Sequence, residues 1–365
     1  MCTKSLVPLF LIFFIAPASM LWGQNTYVPD NNFEQALIDL GYDDTLDDYV
    51  LTENISGVTS LDVNAKEISD LTGIEGFTAL TSLYCNANQL TSLDLSSNTA
   101  LTDLECYNNQ LTSLDLSANT ALTTLKCHIN ELTSLDLSNN TALDYLYCDS
   151  NQLTSLDVSS NTALTTLNCS WNQLTSLDLS TNTALGSLSC HYNQLTSLDV
   201  SGNTALTELA FGWNQLTSLD VSSNIALTML FCDGNQLTSL DVNSNTALNW
   251  LSCQNNQLTS VDVSSNIALT ELGFSWNQLT SLDLSNNTAL EYLFCHTNQL
   301  TSLDLSSNTA LTFLECHTNQ LTSLDLSSNT ALTTLSCNDN QLIHLNMKNG
   351  VTENLTTFWA KNNSL

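Results

Sequence analysis

From Leu80 onward a leucine recurs at Leu101, Leu122, Leu143 and so on to Leu332, a period of 21 residues held without a slip. A unit that short has too little apolar side chain to bury itself, so it acquires a core only by stacking on its neighbours. The period therefore replaces the two or three globular domains that a chain of 365 residues would otherwise suggest. It predicts one elongated stack, and the 42% hydrophobic content supplies a core along its whole length.

A typical unit reads Leu101-Thr-Asp-Leu104-Glu-Cys106-Tyr-Asn-Asn109-Gln-Leu111-Thr-Ser-Leu114-Asp-Leu116-Ser-Ala-Asn119-Thr-Ala121. Alternation at its start turns Leu101, Leu104 and Cys106 inward on a short strand, while repeat positions 3, 5, 7 and 8 face outward. Stacked coils then form a parallel sheet with a strand spacing of about 4.8 Å. Asn109 and its counterparts form an inward ladder, because a buried amide must find partners and can bond the backbone of adjacent turns. The second half nearly repeats the first and is too short for a regular helix, which predicts an extended or turn-rich convex side with its own asparagine ladder. Degenerate units at Val58–Ile68 and Leu355–Leu365 bring the expected number of coils to fifteen.

The pattern LxxLxLxxNxLxxLDLxxN resembles the 21-residue leucine-rich repeat class with nested periodicity found in secreted proteins of Bacteroidota, over about residues 55–365. The resemblance implies a right-handed leucine-rich repeat solenoid with its parallel sheet on the concave face. The opening Tyr27 to Gly41 resembles the segment that precedes such arrays. Many members end in a sorting domain; none follows Leu365, so a chain without surface anchoring and a fragment are both open.

At the start, Lys4, the apolar run Leu6 to Ile15 and the small residues Ala16, Ala18 and Gly23 read as a signal peptide over residues 1–23. No later run approaches the roughly 18 apolar residues of a membrane span, so a secreted or cell-surface protein without membrane insertion is expected. Residues 24–54 are expected to cap the array, with a short helix around Phe33 to Leu40 behind an Asx cap and stopped by Gly41. Asp43, Asp44, Asp47 and Asp48 lack the spacing of a calcium loop and read as a solvated turn. With 36 acidic residues against five lysines and no arginine, the net charge of -31 excludes nucleic acid and disfavours anionic membranes.

Three columns invite chemistry. Eleven cysteines from Cys85 to Cys337 share one inward slot, which Phe211 and Phe274 occupy in two coils; an odd count, with phenylalanine as a substitute, favours buried free thiols over disulfides. Twelve aspartates from Asp94 to Asp325 share one convex position, where adjacent carboxylates repel by roughly 0.9 kcal/mol in water-like dielectric. A solvated, hydrogen-bonded ladder is the expected relief, with calcium or sodium bridging as the alternative. His128, His191, His296 and His317 occupy position 7, and with Glu315 the last two make a two-histidine, one-carboxylate site conceivable; scattered surface histidines are the expectation, with no metal and no cofactor. No serine, cysteine or histidine leaves repeat duty to become a tuned nucleophile, acid or base, so no enzyme is expected.

The repeats align the chain with itself and show where it is free to vary. In the thirteen regular coils the 52 outward positions hold 13 aromatics, a quarter, against 7% for the whole chain. Besides Tyr84 and Tyr107 these form a strip: Tyr145, Tyr147, Trp171, Tyr192, Trp213, Phe231, Trp250, Trp276, Tyr292, Phe294 and Phe313. Exposed tryptophan and tyrosine on a solvated face mark a contact surface. Thr207 to Trp213 recurs as Thr270 to Trp276, so a three-coil duplication accounts for part of the enrichment. The strip fits a protein partner anchored on these rings within a rim of Glu105, Asp149, Glu208, Asp233 and Glu315, or a glycan stacked on the same rings. A monomer that recognises proteins or adheres outside the cell is expected, with a carbohydrate-binding protein as the alternative.

Overall fold

The computed structural model describes residues 23–350 and 352–365. Apart from Gly23, the expected signal peptide lies outside the described residues. The architecture is the expected solenoid: among the described residues a parallel sheet of fifteen three-residue strands runs from Ser60–Asp62 to Thr357–Trp359. Each strand pairs in register with the next; Leu104 sits opposite Leu83 and Leu125, as the unbroken period requires.

The opposite side is built of turns, with a two-stranded pairing of Ser323–Asp325 with His344–Asn346 and an isolated bridge between Asp241 and Asp262. Leu101, Leu104, Cys106, Leu111, Leu114 and Leu116 all point into a core continuous along the stack. Each such leucine contributes about 1.5–3 kcal/mol of burial.

The two asparagine columns differ. Asn109 accepts from the Leu90 amide at 3.0 Å and donates to Cys85 and Cys106 carbonyls at 3.1 and 3.0 Å, satisfying both ends of its amide. Asn119 donates to the Leu95 and Asn98 carbonyls at 3.1 and 3.0 Å, but its Oδ1 is buried without a partner, and ten other members of that column share this. The eleven cysteines from Cys85 to Cys337 are free and buried.

At the N-terminal end the helix Asn31–Asp39 is capped by Asp30, whose Oδ1 accepts from the Asn32 and Phe33 amides. Its other oxygen accepts from Ser69 and Asp70, tying the helix to the first coil, and Phe33 packs in the shared core. The fully buried Glu34 accepts from the amides of Asp47 and Tyr49 and so holds the aspartate-rich turn. The helix stops at Gly41, whose φ of +80° suits glycine.

Candidate functional site

The turn that ends each strand decides how the aromatic strip is displayed. Repeat position 8 has a left-handed backbone in every regular coil: φ is +56° at Asn108, +62° at Gly234 and +54° at Asn255, residues that tolerate it. The same conformation is imposed on Trp171, Tyr192, Trp213 and Trp276, at +52°, +53°, +56° and +58°. An L-residue there carries about 1–2 kcal/mol of strain. Four bulky rings held at a strained position on an exposed face are the observation that points to function.

The strip is divided into clusters. Trp171, Tyr192 and Trp213 form one stack, with centroids 3.8 and 5.5 Å apart and planes within 15°. Phe231 meets Trp250 edge-on at 4.8 Å, and Phe313 packs against Phe294 and Tyr292 at 5.0 and 6.2 Å. Tyr147 approaches only the His128 ring, at 6.4 Å, and Tyr145 stands exposed. Trp171, Trp213 and Trp276 are 52%, 47% and 59% exposed, whereas Tyr147, Tyr192, Phe231, Phe294 and Phe313 are half-buried against neighbours.

Position 7 departs from the outward expectation. Ser170 and Ser275 there are buried, and the four histidines are half-buried, because the side chain lies along the sheet against the adjacent coil. His191 Nδ1, for example, lies 2.8 and 3.2 Å from the Ser189 and Ser170 hydroxyls, and burial lowers its pKa. The acidic rim also divides: Glu105 is paired with Lys126 at 2.7 Å, while Glu208 receives only the Ser187 hydroxyl.

Between the first stack and Trp276 lies a cleft of about 580 Å³ lined by Trp213, Asp233, Gln254, Asn255 and Trp276. Trp213 lies over Gly234 so closely that a Cβ there would sit 2.6 Å from the indole. Asp233 Oδ1 accepts from the Ser252 hydroxyl at 2.6 Å and the Gln254 amide at 2.7 Å, which fixes the carboxylate. Burial pushes its pKa up against those hydrogen bonds. Two indole faces, one carboxylate and two carboxamides can hold a cationic side chain or the face of a sugar. The sequence reading contained the rings and Asp233 but missed Gly234, Gln254 and Asn255; the available signal for two of them was the small residues Gly234 and Asn255 set between Trp213 and Trp276 in the position 8 column.

On the convex side each of the twelve column aspartates accepts from the amide two residues on, as Asp178 does from Ser180 at 2.9 Å. That hydrogen bond holds the Asp178 carboxyl below the ordinary range. His296 and His317 stack at 4.2 Å with Glu315 beside them, and burial together with His317 lowers the His296 pKa to about 4. No helix among the described residues is long and apolar enough to cross a membrane.

No protein-family model matches the chain. In sequence, 74 residues, 20% of the chain, are 41% identical to internalin J of Listeria monocytogenes serotype 4b (strain F2365), spanning 8% of that protein. In structure, the functional domain of InlJ from Listeria monocytogenes, described as including a cysteine ladder, matches with a TM-score of 0.77 and 38% identity over 88% of this chain and 77% of that one. An internalin, InlF of the same species, shares the fold with a TM-score of 0.78 at 24% identity, covering 91% and 95%. The leucine-rich effector YopM of Yersinia pestis matches with a TM-score of 0.70 at 26% identity over 84% of each chain.

Proposed function

Because the chain belongs to the leucine-rich repeat proteins with repeats of about 21 residues and is homologous to the Listeria internalins, we propose that it is an extracellular recognition or adhesion module that binds a protein partner on its strand face. In this reading residues 1–23 direct export, residues 24–54 cap the stack and residues 55–365 present the binding face as a monomer without cofactor. The observation that carries it is the set of exposed indoles, Trp171, Trp213 and Trp276, at a left-handed position that most other coils fill with smaller residues such as Ala87, Asn108, Ser150, Gly234 and Thr297. Strain borne by the scaffold at exposed aromatic positions is accounted for by a partner that covers the rings.

The Trp213–Trp276 cleft gives the surface its centre. A lysine or arginine side chain entering it meets two indole faces and the Asp233 carboxylate, and the net charge of -31 attracts basic partners to the chain. The rigid sheet presents these groups preorganised. The second reading, a glycan stacked on the same indoles, draws on the Gln254 and Asn255 carboxamides, which suit hydroxyl groups.

The test displays the protein to a glycan array and, in parallel, to a panel of purified surface proteins. A protein hit lost in Trp213→Ala and Trp276→Ala and weakened in Asp233→Asn supports the proposal. A glycan hit with the same sensitivity replaces it by the second reading. Binding indifferent to all three substitutions removes the cleft from consideration.

A further inference from the structure

The three-coil duplication places an internal control beside one cluster of side chains. In the coils that begin at Leu227 and Leu248, Asp233, Ser252 and Gln254 occupy three neighbouring slots and satisfy one another: Ser252 Oγ donates to Asp233, and Gln254 Nε2 donates to Ser252 Oγ at 3.3 Å. In the coils that begin at Leu290 and Leu311, the same slots hold His296, Glu315 and His317. All three differ together, and the replacements are metal-ligating residue types.

The imidazoles lie parallel, with centroids 4.2 Å apart and planes 10° from one another. Each Nδ1 is 3.0 Å from the hydroxyl of the following threonine, Thr297 or Thr318. If each Nδ1–H donates to that hydroxyl, both Nε2 atoms carry bare lone pairs, the tautomer that a metal requires, and the threonines act as the outer shell that orients the ligands. The Glu315 carboxylate lies 3.9 Å from His296 Nε2. One ligand atom from each of the three residues falls within 4.8 Å of the other two.

We infer that His296, Glu315 and His317 form a binding site for a divalent transition metal of the zinc type, held by two imidazole nitrogens and one carboxylate with the remaining position open. Imidazole with carboxylate selects zinc, nickel or copper over calcium and magnesium, which prefer oxygen alone. Metal–ligand distances near 2.0–2.1 Å place tetrahedral ligands about 3.3 Å apart, so His296 and Glu315 must close by roughly 0.6 Å and the set as a whole, now within 4.8 Å, by up to roughly 1.5 Å, within reach of side-chain rotation. The net charge of -31 raises the local concentration of divalent cations around the chain. The site sits at one end of the aromatic strip, with the Trp276 ring edge-on to His296 at 6.2 Å. It stands independently of the partner-binding proposal.

The test titrates the folded protein with zinc against a chromophoric chelator and with cobalt(II) followed by absorption. The substitutions are those the duplicated coils already accept, Glu315→Ser and His317→Gln, so the stack is preserved. The expected result is one equivalent of zinc, affinity lowered tenfold or more by either substitution, and a cobalt spectrum with ligand-field bands but no thiolate charge-transfer band. His191→Ala, at the same repeat position elsewhere, leaves the affinity unchanged. Zinc uptake that is absent, insensitive to Glu315→Ser and His317→Gln, or accompanied by a thiolate signature overturns the assignment.

Discussion

The same substitution made twice, eleven residues apart, separates the two asparagine columns. Asn193→Ala removes an acceptor from the Leu174 amide at 2.9 Å and two donations, to the Cys169 and Cys190 carbonyls at 3.1 Å. Those carbonyls keep Asn172 and Asn214 as donors, but the buried Leu174 N–H has no other partner. Two lost bonds at about 1 kcal/mol each and an orphaned amide at about 1–3 kcal/mol give a cost of about 3–5 kcal/mol. Asn182→Ala also removes two donations, to the Val158 and Asn161 carbonyls at 3.1 and 2.9 Å, both of which keep backbone partners. It removes as well an Oδ1 that is buried without a partner. Relief of that orphan, about 1–3 kcal/mol, offsets most of the loss. Both side chains are buried, at 8% and 0% exposure, so the cavity terms nearly cancel and Asn193→Ala should cost about 3 kcal/mol more than Asn182→Ala. Urea denaturation followed by far-ultraviolet circular dichroism measures the difference, and hydrogen exchange at the Leu174 amide should accelerate by about a hundredfold in Asn193→Ala alone. Costs within about 1 kcal/mol of each other would refute the reasoning, because they would mean that the two amides are equally satisfied.

Burial pushes the thiols of Cys106, Cys169 and Cys295 up to about 12 from an ordinary value of 9.0. The raised value stabilises the fold below pH 9 and is lost as pH rises toward 12, because the unfolded chain releases protons first; at about 1 kcal/mol per thiol across the first pH unit, these three alone remove roughly 3 kcal/mol between pH 9 and 10. A melting temperature that is flat from pH 8 to 10.5 would contradict this. Alkylation at neutral pH should leave the native ladder unmodified and label all eleven of its thiols, Cys85 to Cys337, after unfolding, whereas fast labelling of these positions in the folded chain would mean that the slots are open. Gly234→Ala should displace Trp213, since the new Cβ meets the indole at 2.6 Å and the residue must hold a φ of +62°. The expected signs are a loss of about 1–2 kcal/mol and an altered near-ultraviolet dichroism from the broken Tyr192–Trp213 stack; an unchanged spectrum would count against the placement of Trp213.

By itself the sequence determined the solenoid, its register and its core. An unbroken period of 21 leaves one way to stack Leu101, Leu104, Cys106 and Asn109 on their counterparts, and a slip by one residue would turn every leucine to solvent. The cysteine slot was legible for the same reason, since phenylalanine at Phe211 and Phe274 marks it as apolar filling. The outward rings were legible as a list, not as an arrangement. Only the tertiary structure showed that Trp171, Tyr192 and Trp213 close into a stack, that Trp213 folds over Gly234, and that Asp233, Gln254 and Asn255 floor a cleft before Trp276. It also separated two asparagine columns that look alike in the repeat, Asn109 with its Oδ1 satisfied and Asn119 with its Oδ1 alone. The physical reason is one of distance: periodicity fixes where each backbone position lies, whereas ring contacts and amide partners depend on φ at the turn and on the size of the side chain one coil away. Those quantities belong to pairs of residues about 21 positions apart, and they take a value only once the coils are stacked.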